Sequence, residues 1–109
     1  MDEEKIDVLL VEPGKHPESI KIKTDLESLQ KAVGGMIEVV YPFPEQVGII
    51  CNEEGKINGM ELNRALKDEQ GGIRDIIAGP FVVAGLTEDS FCSLTKEQLK
   101  QYEKKFHCP

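Results

Sequence analysis

Residues 52–66 read NEEGKINGMELNRAL and lie between two strongly apolar runs, VGIIC at 47–51 and IRDIIA at 73–78. Glu53-Glu54-Gly55-Lys56 fits a type I turn with Gly55 in the left-handed position, and Asn58-Gly59 is a second turn signal directly after it. From Met60 onward the spacing becomes helical, with Leu62, Ala65 and Leu66 on one side and Glu61, Asn63, Arg64 and Lys67 spread around the rest. This predicts a helix of about two or three turns. A strand, two turns and a helix set between further strand-like runs make a mixed α and β chain.

Upstream, residues 6–11 (IDVLLV) form a compact apolar run stopped by Glu12-Pro13-Gly14, which reads as a strand ended by a turn. Ile6, Val8 and Leu10 share one face, and Leu9 and Val11 the other, so this strand is buried on both sides and central. Residues 19–23 (SIKIK) alternate like a half-exposed strand and pair most simply with the first as a hairpin. Thr24 stands three residues before Glu27 as a capping box, and Leu26, Leu29 and Val33 recur at helical spacing up to Gly34-Gly35. Residues 36–41 (MIEVVY) and 47–51 then make a hairpin around the prolines at 42 and 44.

Downstream, residues 68–72 (DEQGG) read as a polar loop. Residues 73–78 and 81–84 are strand runs split by Gly79-Pro80, either one bent strand or two short ones. Residues 85–93 read as a loop. The chain closes on a helix with a capping box, Thr95 with Gln98, a hydrophobic staple, Leu94 with Leu99, and an apolar stripe of Leu99, Tyr102 and Phe106. The expected fold is α+β: a mainly antiparallel sheet of five or six strands, with the helices at 24, 62 and 95 covering one face. The pattern leaves strand order open.

At 109 residues, 39% hydrophobic and 30% charged, the chain has the composition of one globular domain spanning residues 1–109. The formal net charge of -7, from 20 acidic and 13 basic residues, repels phosphate backbones and anionic lipid, so neither direct nucleic-acid nor membrane binding is expected unless a local basic patch overrides it. Cys51, Cys92 and Cys108 form no CxxC pair, and a disulfide framework is not expected. The start MDEEK is opposite in charge to a secretory leader, and the longest apolar run, residues 76–86, is broken by glycine and proline. A cytoplasmic protein is expected.

No segment carries a nucleophile, base or metal signature. Gly14-Lys15-His16 has a glycine beside a lysine but lacks the full phosphate-loop pattern, so a solvated turn is expected there. Cys92, His107 and Cys108 lack zinc-ligand spacing, and the same spacing argues against a Cys-His catalytic pair. The acidic pairs Glu53-Glu54, Asp68-Glu69 and Glu88-Asp89 fall in turns or loops, where carboxylates are solvated. No catalytic residue, metal or cofactor is therefore expected. The candidate binding set is Asn52, Asn58, Asn63 and Arg64, whose amides and guanidinium offer donors and acceptors to a polar ligand or a partner's backbone. Asp75, with Asp68 a possible ion partner of Arg64, is counted with them. The structural alternative makes Asn52 and Asn58 turn formers and Asn63 a bridge to a neighbouring loop.

Residues 52–56, Gly59 and 62–66, with 75–79 (DIIAG), 11–14 (VEPG), 29–35 (LQKAVGG) and 41–43 (YPF), resemble the domain-of-unknown-function family 3846 over nearly the whole chain. Members of that family occur in Firmicutes, phages and mobile elements, often near anti-restriction genes, and no activity is established for them. The resemblance implies a non-enzymatic, protein-binding accessory factor of a mobile element, an anti-defence inhibitor directed at a restriction or CRISPR nuclease. The alternative is a module that holds a small polar or nucleotide-like ligand near Asn58, Asn63 and Arg64.

Overall fold

The first apolar run has too many hydrophobic residues for a strand with one wet face, and the structure buries both of its faces. The computed structural model describes residues 5–67 and 70–108. Strand β1 (Lys5–Val11) pairs antiparallel with β2 (Glu18–Lys23), as the alternation predicted, and on its other side with β7 (Phe81–Leu86). β7 also pairs with β4 (Val47–Asn52), and β4 with β3 (Ile37–Val40) in the expected hairpin. The order is β2-β1-β7-β4-β3, antiparallel throughout, with β7 at the centre. A two-residue strand, β8 (Phe91–Cys92), pairs with Gly85 and Leu86 of β7, so the stretch expected to be all loop turns at 87–90 and adds to the sheet.

Period-two alternation sorts the core into two layers. Leu9, Val11, Val47, Ile49, Phe81 and Val83 face one way, where Leu94 and the Tyr102 and Phe106 rings at helix α2 (Lys96–Lys105) cover them. Val8, Ile50, Val82 and Ala84 face the other way, under Leu29 and Val33 of helix α1 (Leu26–Val33). The helices thus lie on opposite faces, correcting the expectation that they share one. The physical reason is that β1, β4 and β7 are apolar on both sides, so each side needs a cover. Burying one such aliphatic side chain stabilises the fold by about 1.5–3 kcal/mol.

Capping follows the sequence closely but not everywhere. Asp25, one residue after the expected Thr24, is the N-cap of α1: its carboxylate accepts from the Ser28 backbone N–H at 3.1 Å and from the Ser28 hydroxyl at 2.7 Å. A carboxylate there also meets the positive end of the helix dipole. Gly34 ends α1 at φ 80. In α2 the Thr95–Gln98 capping box forms as expected, and Leu94 and Leu99 pack on the same core cluster. The Leu94 N–H donates to the Asp7 carbonyl at 2.9 Å and the Asp7 N–H to the Ser93 hydroxyl at 2.9 Å, which fixes where α2 starts.

The stretch after Met60 is not a helix. It is strand β5 (Leu62–Lys67), which pairs antiparallel with β6 (Ile73–Ala78) as a separate two-stranded ribbon. Its inward residues are Arg64 and Leu66, two apart, whereas Leu62 is 61% exposed. An inner face carried by arginine does not register in an apolar pattern. Residues 53–59 do turn, but differently from expectation. The Asn58 N–H donates to the Glu54 carbonyl at 2.8 Å, and the Met60 N–H to the Gly55 carbonyl at 2.9 Å, around Gly59 at φ 72. That closure is a helix-end motif with Gly59 as its left-handed residue. Gly55 has no positive φ; a Cβ there would stand 2.7 Å from the Ala78 carbonyl oxygen. Gly79, at φ 82, turns the chain from β6 into β7, so the two apolar runs are separate strands in separate sheets. Among the described residues no helix is long and apolar enough to cross a membrane.

Candidate functional site

Asn63 and Arg64 come together, as adjacent residues on β5, and both are heavily engaged with backbone. The Asn63 amide donates to the Val11 carbonyl and to the Gly79 carbonyl, each at 2.9 Å, and its oxygen accepts an Arg64 Nη1–H at 2.7 Å. Arg64, 5% exposed, donates from Nε to the Phe106 carbonyl at 3.0 Å and from Nη2 to the Lys15 carbonyl at 2.6 Å. The pair therefore ties the ribbon to the end of β1, the turn after β6, the β1–β2 loop and the end of α2. Burial holds the Arg64 pKa below its ordinary value. Among the described residues it pairs with no carboxylate, so the expected bridge to Asp75 is corrected: Asp75 accepts from Lys56 Nζ at 2.6 Å. The hydrogen bond from Lys56 is the main cause that lowers the Asp75 pKa. The other expected partner, Asp68, and the pair it forms with Glu69 lie outside the described residues.

The remaining members of the set are dispersed. Asn52 is buried, donates to the Val33 carbonyl at 3.2 Å and accepts from the Glu54 N–H at 2.8 Å, joining the end of α1 to the following turn. Asn58 is exposed in that turn. Asn52, Lys56 and Asp75 line a cleft of about 240 Å³ with Glu38, Glu53 and Ile57. Three carboxylates with one lysine make it acidic.

A larger groove lies elsewhere, about 660 Å³, between the 41–44 loop, the ribbon and α2. Tyr41, Pro42, Phe43 and Pro44 form one wall, and Lys67, Gln70, Arg74 and Lys105 the rest. Cross-strand pairing explains part of the grouping, since Lys67 stands opposite Ile73 and beside Arg74 on the ribbon. The loop is clamped to α2: the Phe43 ring sits 4.7 Å from Tyr102 and 6.4 Å from Phe106, with Lys105 Nζ 5.9 Å from its centroid. The buried Tyr102 hydroxyl donates to the Glu45 carboxylate. Burial first, and that carboxylate second, push the Tyr102 pKa up. A third cavity of about 330 Å³ is lined by Asn63, Arg64, Ala65, Phe106 and Cys108, and shares Lys67 and Lys105 with the groove.

Sequence reasoning singled out Asn63 and Arg64, which the structure bonds to backbone, and did not single out Tyr41, Lys67, Arg74 or Lys105, which line the groove. These come from four separate stretches, and only the aromatic-proline run YPFP at 41–44 hinted at a wall. His16, expected in a solvated turn, stacks on His107 with centroids 4.4 Å apart and donates from Nδ1 to its carbonyl at 2.8 Å. Among the described residues no group of three His, Cys, Asp or Glu side chains could hold a metal ion.

The chain belongs to the family described as a domain of unknown function (DUF3846), whose model matches residues 6–107. No curated protein and no solved structure matches it.

Proposed function

Starting from that family membership, we propose that this chain is a non-catalytic binding protein whose groove holds an anionic ligand with a planar, nucleotide-like part. One observation carries the reading. In a chain of net charge -7, the described lining of the 660 Å³ groove holds three cations, Lys67, Arg74 and Lys105, and no carboxylate. A cleft lined by one sign of charge focuses ions of the other, even against the net field of the molecule. Tyr41, 68% exposed on the same wall, offers an aromatic face on which a base can stack, a contact worth about 1–3 kcal/mol. Cations and an aromatic face hold and orient a ligand, which is binding chemistry.

The test is calorimetric titration with ADP at low salt, repeated on Arg74→Gln and Tyr41→Ala. Saturable binding, weakened in both variants and by added salt, supports the reading. No heat and no thermal stabilisation at millimolar ADP would overturn it.

A second reading, the anti-defence protein-binding factor, draws on a different observation. Ile73, adjacent to Arg74 and paired with Lys67, is 63% exposed, so an exposed apolar side chain stands among the cations of the ribbon, two of which share the groove lining with Tyr41. Aromatic residues and arginine are the side chains enriched where protein interfaces concentrate their binding energy. Pull-down from host lysate would recover a restriction or CRISPR nuclease with the native chain and lose it with Tyr41→Ala and Ile73→Ser combined. Recovery of that nuclease unchanged by the double substitution would count against this surface.

A further inference from the structure

We infer that the ligand carries two phosphoryl groups, one in the 660 Å³ groove and one in the adjoining 330 Å³ cavity under Arg64. The inference rests on the proposed groove function and extends it to a second anion subsite. The two cavities adjoin at Lys67 and Lys105, which line both, with Arg74 in the lining of the groove and Arg64 in that of the second cavity.

Arg64 is the independent observation. It is 5% exposed, and each of its three partners among the described residues is a neutral oxygen, the carbonyls of Phe106 and Lys15 and the amide oxygen of Asn63. A guanidinium has five N–H donors, and these bonds use one on each nitrogen, three of the five. A buried charge is normally balanced by an opposite charge, because carbonyl dipoles replace only part of its lost hydration. The described lining of its cavity adds two more cations and no carboxylate. An oxyanion seated there would neutralise Arg64, and the planar fork of arginine matches phosphate geometry. Two phosphoryl groups with a base between or beside them describe either a nucleoside diphosphate or a short dinucleotide.

The experiment compares AMP, ADP and the dinucleotide pApA by calorimetry on the native chain and on Ala65→Asp, which places a carboxylate in the second subsite and leaves the groove lining intact. The expected result is tenfold or greater tightening from AMP to ADP or to pApA, and loss of that gap in Ala65→Asp with AMP binding retained. A gap for ADP alone assigns adjacent phosphates, and a gap for pApA assigns separated ones. A circular dichroism melt confirms that Ala65→Asp is folded; if it is not, Lys67→Gln, which lowers the charge of both subsites, must weaken ADP or pApA by a larger factor than AMP. Equal affinity for all three ligands overturns the second subsite while leaving the groove reading in place. Absence of binding by any of them overturns both.

Discussion

The side-chain oxygen of Asn63 accepts an N–H from Arg64 at 2.7 Å, and through that bond two adjacent residues act as one fastener for four separate segments. Asn63→Ala strips donors from the carbonyls of Val11 and Gly79 and a partner from Arg64. Each half-buried polar group left unpaired costs about 1–3 kcal/mol, so a loss of roughly 2–4 kcal/mol of unfolding free energy is expected by urea titration. Arg64→Ala should cost a comparable amount. The double variant should fall short of the sum, because both remove the same contact. Strict additivity would show that the two side chains work independently.

That fastener also marks the limit of what could be read beforehand. The hairpins, the central double-sided strand, the Gly34 terminus and the α2 capping box are all set by local chemistry, and each is where the residues point. β5 is set by partners remote in sequence. Met60, Glu61, Leu62, Arg64, Ala65, Leu66 and Lys67 all favour helix intrinsically, and Leu62, Ala65 and Leu66 have helical spacing. The β-branched run opposite them in β6, and the carbonyls that Arg64 and Asn63 reach, decide for strand. The groove was hidden for a related reason. Its cations are single residues of an acidic chain, and only the packing of the ribbon against α2 collects them.

Gly55 and Gly59 stand four residues apart in one turn and should respond differently to alanine. At Gly59 the added Cβ meets nothing within 4 Å, so only the left-handed φ of 72 resists it. The expected cost is about 1 kcal/mol. At Gly55 the φ is unexceptional, but a Cβ would lie 2.7 Å from the Ala78 carbonyl oxygen, which belongs to β6 and cannot move alone. A cost of roughly 1–3 kcal/mol or more is expected, from overpacking. Thermal melts rank the two directly, and a more damaging Gly59→Ala would contradict this assignment.

Cys51 predicts an alkaline limb in the stability curve. Desolvation by burial, with smaller contributions from Glu38 and Asp75, pushes its thiol pKa from 9.0 up to about 11. Below pH 9 the thiol is protonated in both folded and unfolded chains and the full stability is present. As pH rises from 9 toward 11 the unfolded chain ionises first, so stability falls across that window. Cys51→Ala should flatten this part of the curve, leaving the decline above pH 10 that the raised Tyr102 contributes in the same direction. Thiol labelling gives a parallel readout: exposed Cys108 reacts readily at neutral pH, whereas buried Cys51 reacts only on unfolding.

The wall of the groove offers the sharpest separation of stability from binding. Tyr102→Phe removes the hydroxyl that donates to Glu45 but keeps the ring in the core, and Glu45 is exposed and regains water. Its expected cost is about 0.5–1.5 kcal/mol. Phe43→Ala removes the ring that touches Tyr102 and Phe106 and carries Lys105 over its face. Because Phe43 is only partly buried, its cost should sit near the low end of aromatic truncation, about 2–3 kcal/mol. Lys105 also loses the surface that orients it, so ligand affinity should fall further in Phe43→Ala than in Tyr102→Phe. Arg74→Gln provides the complement. Arg74 is exposed, so its loss should change stability by less than about 0.5 kcal/mol while ADP binding drops several-fold and its salt dependence becomes shallower. If Arg74→Gln bound ADP as the native chain does, the cationic lining would not be the recognition element, and the groove would have to be read through its aromatic wall alone.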